Sequence, residues 1–393
     1  MMVVPSKKKK ELNNKKKVAT GSSQPIRVLH YIGSLDIGGS QTMVLNIYHN
    51  IDRSKVQFDF VVDKKNELFF KEEIESLGGR VFIFDKSFNG FNYALFTRQW
   101  KNFFKDHPEY KLLHCHVRSV ASIVLRIAKK SGLRTICHSH NTSNGSGIKS
   151  VVKKFLQSRI KSDYYFACSK EAAEWLYGHR IASSRNCFVI NNAIEVDKYR
   201  FSQNSRDEIR RKYAIDDDSF LVGHVGRFEK QKNHDFIFEL IKNCDDERIK
   251  FMLCGDGSLK LSFQNRIKME GLSDRVFYVA GTDEINKYYS AFDYFILPSL
   301  YEGLGMVLIE AQYCGLNCLV SPNVPDEARI SDNYKVEELS VSKWERKIKC
   351  KEKVLGRDKV KLFRGAERYD VKKNAKTLEE FYIDCIGQYG GRK

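Results

Sequence analysis

Residues Asp293–Pro322 read DYFILPSLYEGLGMVLIEAQYCGLNCLVSP, and this stretch decides the fold. Tyr294–Leu297 is a short apolar run typical of a buried strand, and the proline after it cannot continue the strand. A loop with two glycines follows, and then a helix from Met306 to Cys314 that ends at Gly315. A second apolar run comes next, at Cys318–Val320. Strand, loop, helix and strand in this order predict a βαβ unit in a parallel sheet.

Two carboxylates in this stretch are eight residues apart: Glu302 precedes the helix, and Glu310 lies in its first turns. Glu310 has apolar neighbours, and a carboxylate in such a setting costs free energy unless it is paired or hydrogen-bonded. Ribose or sugar hydroxyls could supply those hydrogen bonds. The free backbone N–H groups from Gly303 to Val307 favour an anion such as phosphate. From these residues alone, a ligand site and a buried helix with one exposed Glu are equally good interpretations.

The same alternation of elements recurs through most of the chain. An apolar run at Ile26–Ile32 precedes glycines and a helix, and strand and helix patterns then alternate as far as Phe104. The alternation restarts at Phe220–Val225. It predicts an α/β protein with open, doubly wound parallel sheets.

The segment EGLGMVLIEA preceded by DYFILPS resembles the E-x7-E signature of retaining glycosyltransferases of family 4, which have the two-domain GT-B fold. Further segments match in the same order from residue 26 to about 389. The resemblance implies two Rossmann-like domains that face each other across a cleft. It places an N-terminal acceptor-side domain at 25–195, a linker region at 196–218, a nucleotide-sugar-binding domain at 219–369 and a C-terminal helix at 370–393 that crosses back to the N-terminal domain.

Composition limits the classes of protein that this chain can be. Its 393 residues carry a net charge of +18, and residues 1–24 contribute seven Lys against one Glu, which we interpret as a disordered basic arm or an expression remnant. A basic surface suits anionic partners such as phosphates or an anionic membrane leaflet. Ten cysteines without a C-x-x-C pair favour a reducing compartment. We find no signal peptide and no run of the ~18 apolar residues that a spanning helix needs. We therefore expect a cytoplasmic protein, with peripheral attachment to the inner face of the cell membrane left open.

The glycine loop after the first strand, Gly33–Ser40, lies between a strand and a helix, where a ligand can approach the backbone. By itself this loop equally fits a plain tight turn. The segment IGGSQTMVLN resembles the glycine loop of family 4 enzymes, which implies that Gly38, Gly39 and Ser40 lie between donor and acceptor.

Two predicted strands, 112–117 and 134–140, carry histidines at alternate positions, which face the same way. With Cys115 and Cys137 they fit a metal site, but histidines at the carboxyl edge of a sheet also hydrogen-bond ligands. We favour the second interpretation and expect no bound metal, because GT-B enzymes generally need none. The resemblance places His116 and His140 beside the donor sugar. We interpret the other two, His114 and His138, as satisfied buried histidines.

A second candidate phosphate site follows the strand at Phe220–Val225. Arg227 and Lys232 flank a loop that opens onto a helix, and two cations beside free N–H groups suit a diphosphate. By charge alone, a solvated turn fits as well. The resemblance to the GR-x4-K segment of the family assigns both residues to the donor diphosphate, where they would stabilise the charge of the leaving nucleotide.

A basic amphipathic helix is predicted at Lys149–Lys161, after a polar loop at Asn141–Gly147. A core-packing face with a solvated side is the default interpretation of this helix. Contact with a membrane surface or a lipid phosphate is the alternative.

The resemblance implies a hexosyltransferase that moves a sugar, with retained configuration, from a UDP- or GDP-sugar to a glycan or lipid-linked acceptor in bacterial surface polysaccharide synthesis. Glu310 would bind the ribose, and Glu302 would bind the sugar with the backbone of Gly303, Leu304, Gly305 and Met306. The donor is a co-substrate, and we expect no other cofactor and no nucleic-acid partner. Two alternatives stay open: another GT-B enzyme such as an epimerase or phosphorylase, and a non-enzymatic polyanion-binding protein built on the basic arm.

Overall fold

The computed structural model describes residues 24–36, 38–63, 68–140, 157, 159–351 and 356–387. The basic arm, the polar loop at 141–147 and most of the helix predicted at 149–161 lie outside these residues. The chain divides into two compact units, Met1–Ala193 with Asp370–Lys393, and Ile194–Tyr369. Within the described residues, no helix combines the length and the apolar content needed to cross a bilayer.

The first unit is built on a parallel sheet. Its strands are β1 (Ile26–Gly33), β2 (Val56–Asp63), β3 (Val81–Phe84), β4 (Leu112–Cys115), β5 (Arg134–Ser139), β6 (Tyr164–Ala167) and β7 (Cys187–Val189). They pair in the order β3-β2-β1-β4-β5-β6-β7, and every pairing is parallel. Its helices are α1 (Gly39–Asn50), α2 (Lys71–Ser76), α3 (Tyr93–Asp106), α4 (Ala121–Lys130), α5 (Lys170–Tyr177) and α6 (His179–Ala182).

Helices cover both faces of this sheet, which is why its strands are apolar on both sides. Val28 lies in a core that includes residues of α1, whereas the next residue, Leu29, lies in a separate core with residues of α3 and α4. The C-terminal helix α13 (Val371–Gly387) belongs to this unit, and its Leu378 and Tyr382 are buried in the α1 core. Burial of a Leu side chain contributes about 1.5–3 kcal/mol, so these contacts hold the end of the chain on the first sheet.

The second unit is also a parallel sheet between helices. Its strands are β8 (Phe220–Val225), β9 (Ile249–Cys254), β10 (Val276–Val279), β11 (Tyr294–Leu297), β12 (Asn317–Val320) and β13 (Tyr334–Val336), in the order β10-β9-β8-β11-β12-β13. Its helices are α7 (Gln203–Lys212), α8 (His234–Asn243), α9 (Lys260–Met269), α10 (Ile285–Ala291), α11 (Met306–Tyr313) and α12 (Val341–Lys349). The βαβ unit predicted from Asp293–Pro322 is confirmed as β11, α11 and β12, with α11 ending one residue earlier than predicted.

Residues 196–218 are not a linker, although their polar composition suggested one. They contain α7, whose Ile209 and Arg210 are buried in the second unit. Arg206 and Arg210 both pair with the buried carboxylate of Asp293, at 2.6 and 3.3 Å. Arg206 and Arg210, two of the charges that suggested a solvated segment, therefore neutralise the buried carboxylate of Asp293 just before β11. A buried carboxylate costs free energy unless a positive charge or hydrogen bonds compensate for its lost hydration.

Each sheet reverses its strand order once, beside its first strand. In the first unit the reversal lies between β1 and β4, and in the second between β8 and β11. The loops that leave these neighbouring strands diverge to opposite faces, and ligands of open α/β sheets bind in the crevice between them. The Gly38–Ser40 loop and His116 follow such strands in the first unit, and Arg227, Lys232 and Glu302 do so in the second, whereas His140 follows β5.

Candidate active site

In the second unit, the loops after β8 and β11 are joined by hydrogen bonds. The backbone N–H of Leu300 donates to the carbonyl of Gln231 at 2.8 Å, and the Gln231 side chain donates to the carbonyl of Tyr301 at 2.9 Å. The Asn233 side chain donates to the carbonyl of Pro298 at 3.1 Å. These bonds bring residue 232 of one loop beside residue 302 of the other.

Lys232 and Glu302 form an ion pair, with Nζ 2.6 Å from Oε1. Their side chains are only 14% and 6% exposed, and the hydroxyl of Ser299 donates to the same carboxylate oxygen at 2.7 Å. The sequence motifs assigned these two residues to different parts of a ligand. The structure brings them together, so that an anion bound at Lys232 would compete with Glu302 for the ammonium group.

Arg227, at the start of the same loop, is exposed. Among the described residues its guanidinium has no ion-pair partner. The loop beneath it is anchored by Phe228, which is buried and stacks on the ring of His234 at 4.1 Å. A fixed backbone with an uncommitted guanidinium suits an anionic ligand.

The loop residues Gly303–Gly305 lead into α11, which begins at Met306. Gly305 has φ +76° and ψ 60°, a left-handed conformation that glycine adopts without strain. No side chain caps the helix start, and the first N–H groups of a helix favour an anion. A Cβ at Gly303 would have no heavy atom within 4 Å, so a ligand can approach the backbone there. Leu304 instead packs against the core.

Glu310 lies on α11 and accepts a hydrogen bond from the hydroxyl of Tyr289 at 2.7 Å. Burial raises the pKa of the Glu310 carboxyl, and the hydroxyls of Tyr289 and Tyr199 oppose this shift by donating to the ionised form. Burial and the nearby carboxylate together raise the pKa of Tyr289 well above its usual value. Sequence analysis missed both tyrosines, because they come from other elements and belong to no motif.

In the first unit, the glycine loop after β1 ends where α1 begins. Gly38 is the N-cap residue and Gly39 is exposed, with no heavy atom within 4 Å of a Cβ placed there. The hydroxyl of Ser40 donates to the side-chain carbonyl of Gln41 at 2.8 Å, and the Gln41 amide donates to Oγ of Ser34 at 3.0 Å. Gln41 therefore ties the two ends of the loop together, a role that no spacing in the sequence indicated.

The predicted histidines lie on one face of β4 and β5 and just beyond their ends, and His30 of β1 joins them. His30 Nδ1 lies 3.0 Å from Nε2 of His116, and His116 Nδ1 lies 2.8 Å from Nε2 of His140. Both ring nitrogens of His116 thus have histidine partners. The predicted contact between His116 and the donor sugar stays a prediction. Sequence analysis missed His30, because its only signal was its alternate position in β1.

The other two histidines of the cluster are buried, as predicted. His114 lies 2.7 Å from the Tyr382 hydroxyl through Nδ1 and 3.1 Å from Nδ1 of His138 through Nε2. His138 is not fully satisfied, because its Nε2 has no hydrogen-bond partner. Burial and the nearby Arg118 guanidinium lower the pKa of His140 to about 3, so that this ring is neutral near pH 7.

Comparison with known proteins gives a consistent result. Residues 37–198 match the family model described as Glycosyltransferase Family 4, and residues 205–351 match Glycosyl transferases group 1. The chain is 32% identical over 314 residues to the putative glycosyltransferase EpsF of Bacillus subtilis, covering 78% of this chain and 82% of that protein. It is 23% identical over 376 residues to the capsular polysaccharide biosynthesis glycosyltransferase CapH of Staphylococcus aureus, covering 91% and 99%.

Among solved structures, Anabaena HepE in complex with UDP aligns with a TM-score of 0.67 at 16% identity, covering 92% of this chain and 96% of that one. At this identity the likeness concerns the fold alone. Together with the two parallel α/β sheets, it confirms the predicted GT-B fold class.

Proposed function

Because this chain belongs to the glycosyltransferases, we propose that it transfers a hexose, with retained anomeric configuration, from a nucleotide-sugar donor to a glycan or lipid-linked acceptor. The observation that carries this proposal is the arrangement of Lys232, Glu302 and the uncapped start of α11 beside the strand reversal of the second sheet. A cation, a carboxylate and free backbone N–H groups at one point suit a ligand with both phosphates and hydroxyls.

In this proposal the donor binds mainly to the second unit. Glu310 accepts hydrogen bonds from the ribose hydroxyls, and Lys232 and Arg227 hold the diphosphate and stabilise its charge as it leaves. A diphosphate bound at Lys232 weakens the ion pair between Lys232 and Glu302, and Glu302 then accepts hydrogen bonds from the sugar. In the first unit, we propose that His140 and the Gly38–Ser40 loop offer hydrogen bonds to sugar hydroxyls.

No protein nucleophile is assigned. The leaving phosphate would activate the acceptor on the face from which it departs, which gives retention. We also propose that the reaction needs no bound metal, since Arg227 and Lys232 provide the positive charge that a metal would bring.

We propose the biosynthetic role and the donor of this protein from its relatives. CapH is named as a capsular polysaccharide biosynthesis glycosyltransferase, which supports a role in bacterial surface polysaccharide synthesis. The HepE structure contains UDP, so a UDP-sugar is the first donor to test, with GDP-sugars next.

The test is a thermal-shift series with UDP, GDP, ADP and their sugars, followed by an assay of acceptor-dependent nucleotide release. A ligand at one hundred times its Kd stabilises a protein by about 2.7 kcal/mol. Arg227→Ala should keep the melting temperature of the free protein, because the side chain is exposed, and lose the shift with nucleotide. Lys230→Ala, an exposed cation in the same loop, is the matched control and should keep the shift.

The outcomes separate the alternatives. Release of nucleotide only with acceptor supports transfer. Sugar isomers without acceptor would indicate an epimerase, and dependence on phosphate would indicate a phosphorylase. No shift with any nucleotide at millimolar concentration would remove the basis of the proposal.

A further inference from the structure

The two faces of the first sheet differ in charge. Helices α3 and α4 lie on one face, and α1, α2 and α13 lie on the other. Helices α3 and α4 together carry six Lys or Arg and a single acidic residue, Asp106. The three helices of the other face carry four Lys and six acidic residues. The positive charge of this unit is therefore concentrated on the side of α3 and α4.

The six cations of α3 and α4 form a surface that we call the basic face: Arg98, Lys101, Lys105, Arg126, Lys129 and Lys130. All six are exposed, and α3 and α4 pack side by side. On α3 the cations are three and four residues apart, which places them on one side of the helix. Lys129 pairs with Asp163 at 2.7 Å. Among the described residues the other five form no ion pair, so this face attracts anions.

A hollow of about 670 Å³ lies beside α4 on this face. Its described lining consists of one serine and five cations: Ser122, Arg126, Lys129, Lys130, Arg159 and Lys161. Charge-assisted hydrogen bonds from several cations suit the oxygens of a phosphate group. The hollow therefore fits a ligand that presents phosphates at the protein surface.

The loop before α3 and the first turn of this helix expose three large apolar side chains. Phe91 is 99% exposed, Tyr93 is 50% exposed and Leu95 is 55% exposed. We call these three residues the apolar tip. Single exposed apolar residues are ordinary, but several of them gathered at one point indicate an apolar partner.

The loop that carries Phe91 is held in place by its own hydrogen bonds. The side-chain carbonyl of Asn89 accepts from the backbone N–H groups of Phe91 and Asn92, each at 3.0 Å. Phe88 packs edge-on against the buried ring of Phe96, with centroids 5.5 Å apart. The loop thus buries one phenylalanine and presents the other to the surroundings, so the exposure of Phe91 is a fixed feature of this loop.

The apolar tip and the basic face belong to one surface. All strands of the first sheet are parallel, so the loop after β3 lies at the same edge as the Gly38–Ser40 loop. Helix α3 leads away from this edge, with the tip at its start and its three cations in the following turns. Apolar side chains at one end and cations behind them match the layers of a bilayer, in which charged headgroups cover the hydrocarbon.

We propose that the apolar tip and the basic face bind the surface of an anionic lipid bilayer. Phe91, Tyr93 and Leu95 enter the interfacial layer, and the cations contact lipid phosphates. The inference rests on the proposed function only where it concerns the acceptor, because a lipid-linked acceptor would be met at the edge that carries the Gly38–Ser40 loop. Attachment to the bilayer itself needs neither donor nor acceptor.

The first test measures co-sedimentation of the full chain with vesicles of phosphatidylcholine, alone or with one third phosphatidylglycerol. We expect binding to the anionic vesicles only, and weaker binding at high salt. Arg98→Gln with Lys101→Gln should weaken this binding about fivefold for each cation removed. Lys373→Gln with Lys376→Gln removes the same charge from exposed positions of α13 and should keep the binding. The basic arm is identical in both variants, so its contribution cancels in the comparison.

The second test locates the apolar tip. Phe91→Trp should show a blue-shifted emission with anionic vesicles and quenching by brominated lipid. The control Phe69→Trp replaces a 63% exposed phenylalanine just before α2 and should show neither effect. Phe91→Ser should keep the melting temperature, because the side chain is exposed, and should weaken vesicle binding about tenfold.

Three results would overturn the proposal. The full chain could fail to bind anionic vesicles, the two pairs of charge substitutions could weaken binding equally, or the emission of Phe91→Trp could stay unshifted. Binding of a single-stranded oligonucleotide in place of vesicles, weakened by Phe91→Ser, would replace the bilayer with a nucleic acid. The vesicle measurements use no donor and no acceptor. A failure of the proposed transfer reaction, measured with a water-soluble acceptor, would therefore leave the bilayer surface standing.

Discussion

Nζ of Lys232 lies 2.6 Å from Oε1 of Glu302, although the two residues belong to loops that leave different strands. The pair is nearly enclosed, and the carboxylate also accepts a hydrogen bond from Ser299. The two charges therefore stabilise each other.

The energetic coupling of this pair can be measured with a double-mutant cycle of Lys232→Ala and Glu302→Ala. We expect a coupling free energy of unfolding of about 1–3 kcal/mol, because each single substitution leaves a mostly buried charge without its partner. Urea denaturation of the four proteins provides the measurement. The exposed pair Lys242–Glu270, with a similar separation of 2.9 Å, is the control and should show no measurable coupling. Equal coupling in both pairs would contradict the expected effect of burial.

Glu310→Gln should weaken nucleotide binding without lowering the stability of the fold. Burial raises the pKa of this carboxyl above its value in the unfolded chain, so the folded protein favours the protonated form of Glu310. The stability that this protonated group contributes is lost as the pH rises through the folded pKa. At pH 7 the amide should leave the free protein at least as stable as the unsubstituted one. Stabilisation by the nucleotide should nevertheless be lost, since an amide accepts ribose hydroxyls more weakly. A Glu310→Gln protein that melts lower at pH 7 and still binds nucleotide would refute both expectations.

The buried histidines should make the protein sensitive to mild acid. Burial lowers the pKa of seven of them in the folded state: His30, His114, His116, His138, His140, His224 and His234. The unfolded chain, with a histidine pKa of about 6.5, then binds more protons as the pH falls below that value. Stability should be full above pH 6.5 and decline below it, by up to about 1.4 kcal/mol per pH unit for each histidine.

Urea denaturation between pH 5 and 7 measures this slope. His138→Leu should reduce the slope, because it removes a fully buried ring with one unpartnered nitrogen. His179→Leu replaces an 84% exposed histidine and should leave it unchanged. Equal slopes in the two variants would show that the buried cluster does not control the acid response.

Two glycines of the second unit should respond differently to alanine. A Cβ at Gly223, within β8, would lie 2.2 Å from Cδ2 of the fully buried Phe292. Gly223→Ala should therefore destabilise the fold by about 1–3 kcal/mol or more. A Cβ at Gly303 would meet no heavy atom within 4 Å, so Gly303→Ala should keep the stability and lower the affinity for the donor. Thermal melts and donor titration distinguish these effects, and a stable Gly223→Ala protein would contradict the packing of β8 on Phe292.

Several features of this protein could be predicted from the sequence because they are local. Apolar runs, glycine stops and the Ser169 cap of α5, whose Oγ accepts from the N–H of Ala172, depend on residues within a few positions of one another. The motif around Glu302 and Glu310 was recognisable for the same reason. The polar composition of segment 196–218 led to a wrong prediction. Its residues Arg206 and Arg210 pair with the buried carboxylate of Asp293, which lies about 85 residues further along the chain.

By itself, then, the sequence determined the alternation of strands and helices, the α/β class and the residue types at each loop. Only the tertiary structure decided which of those residues meet. Lys232 reaches Glu302 because β8 and β11 are neighbours at the strand reversal. His116 uses both ring nitrogens on other histidines because β1, β4 and β5 lie side by side with the same face toward α1. Partners that are 70 and 86 residues apart are set by strand order and register, and neither can be read from the spacing of residues along the chain.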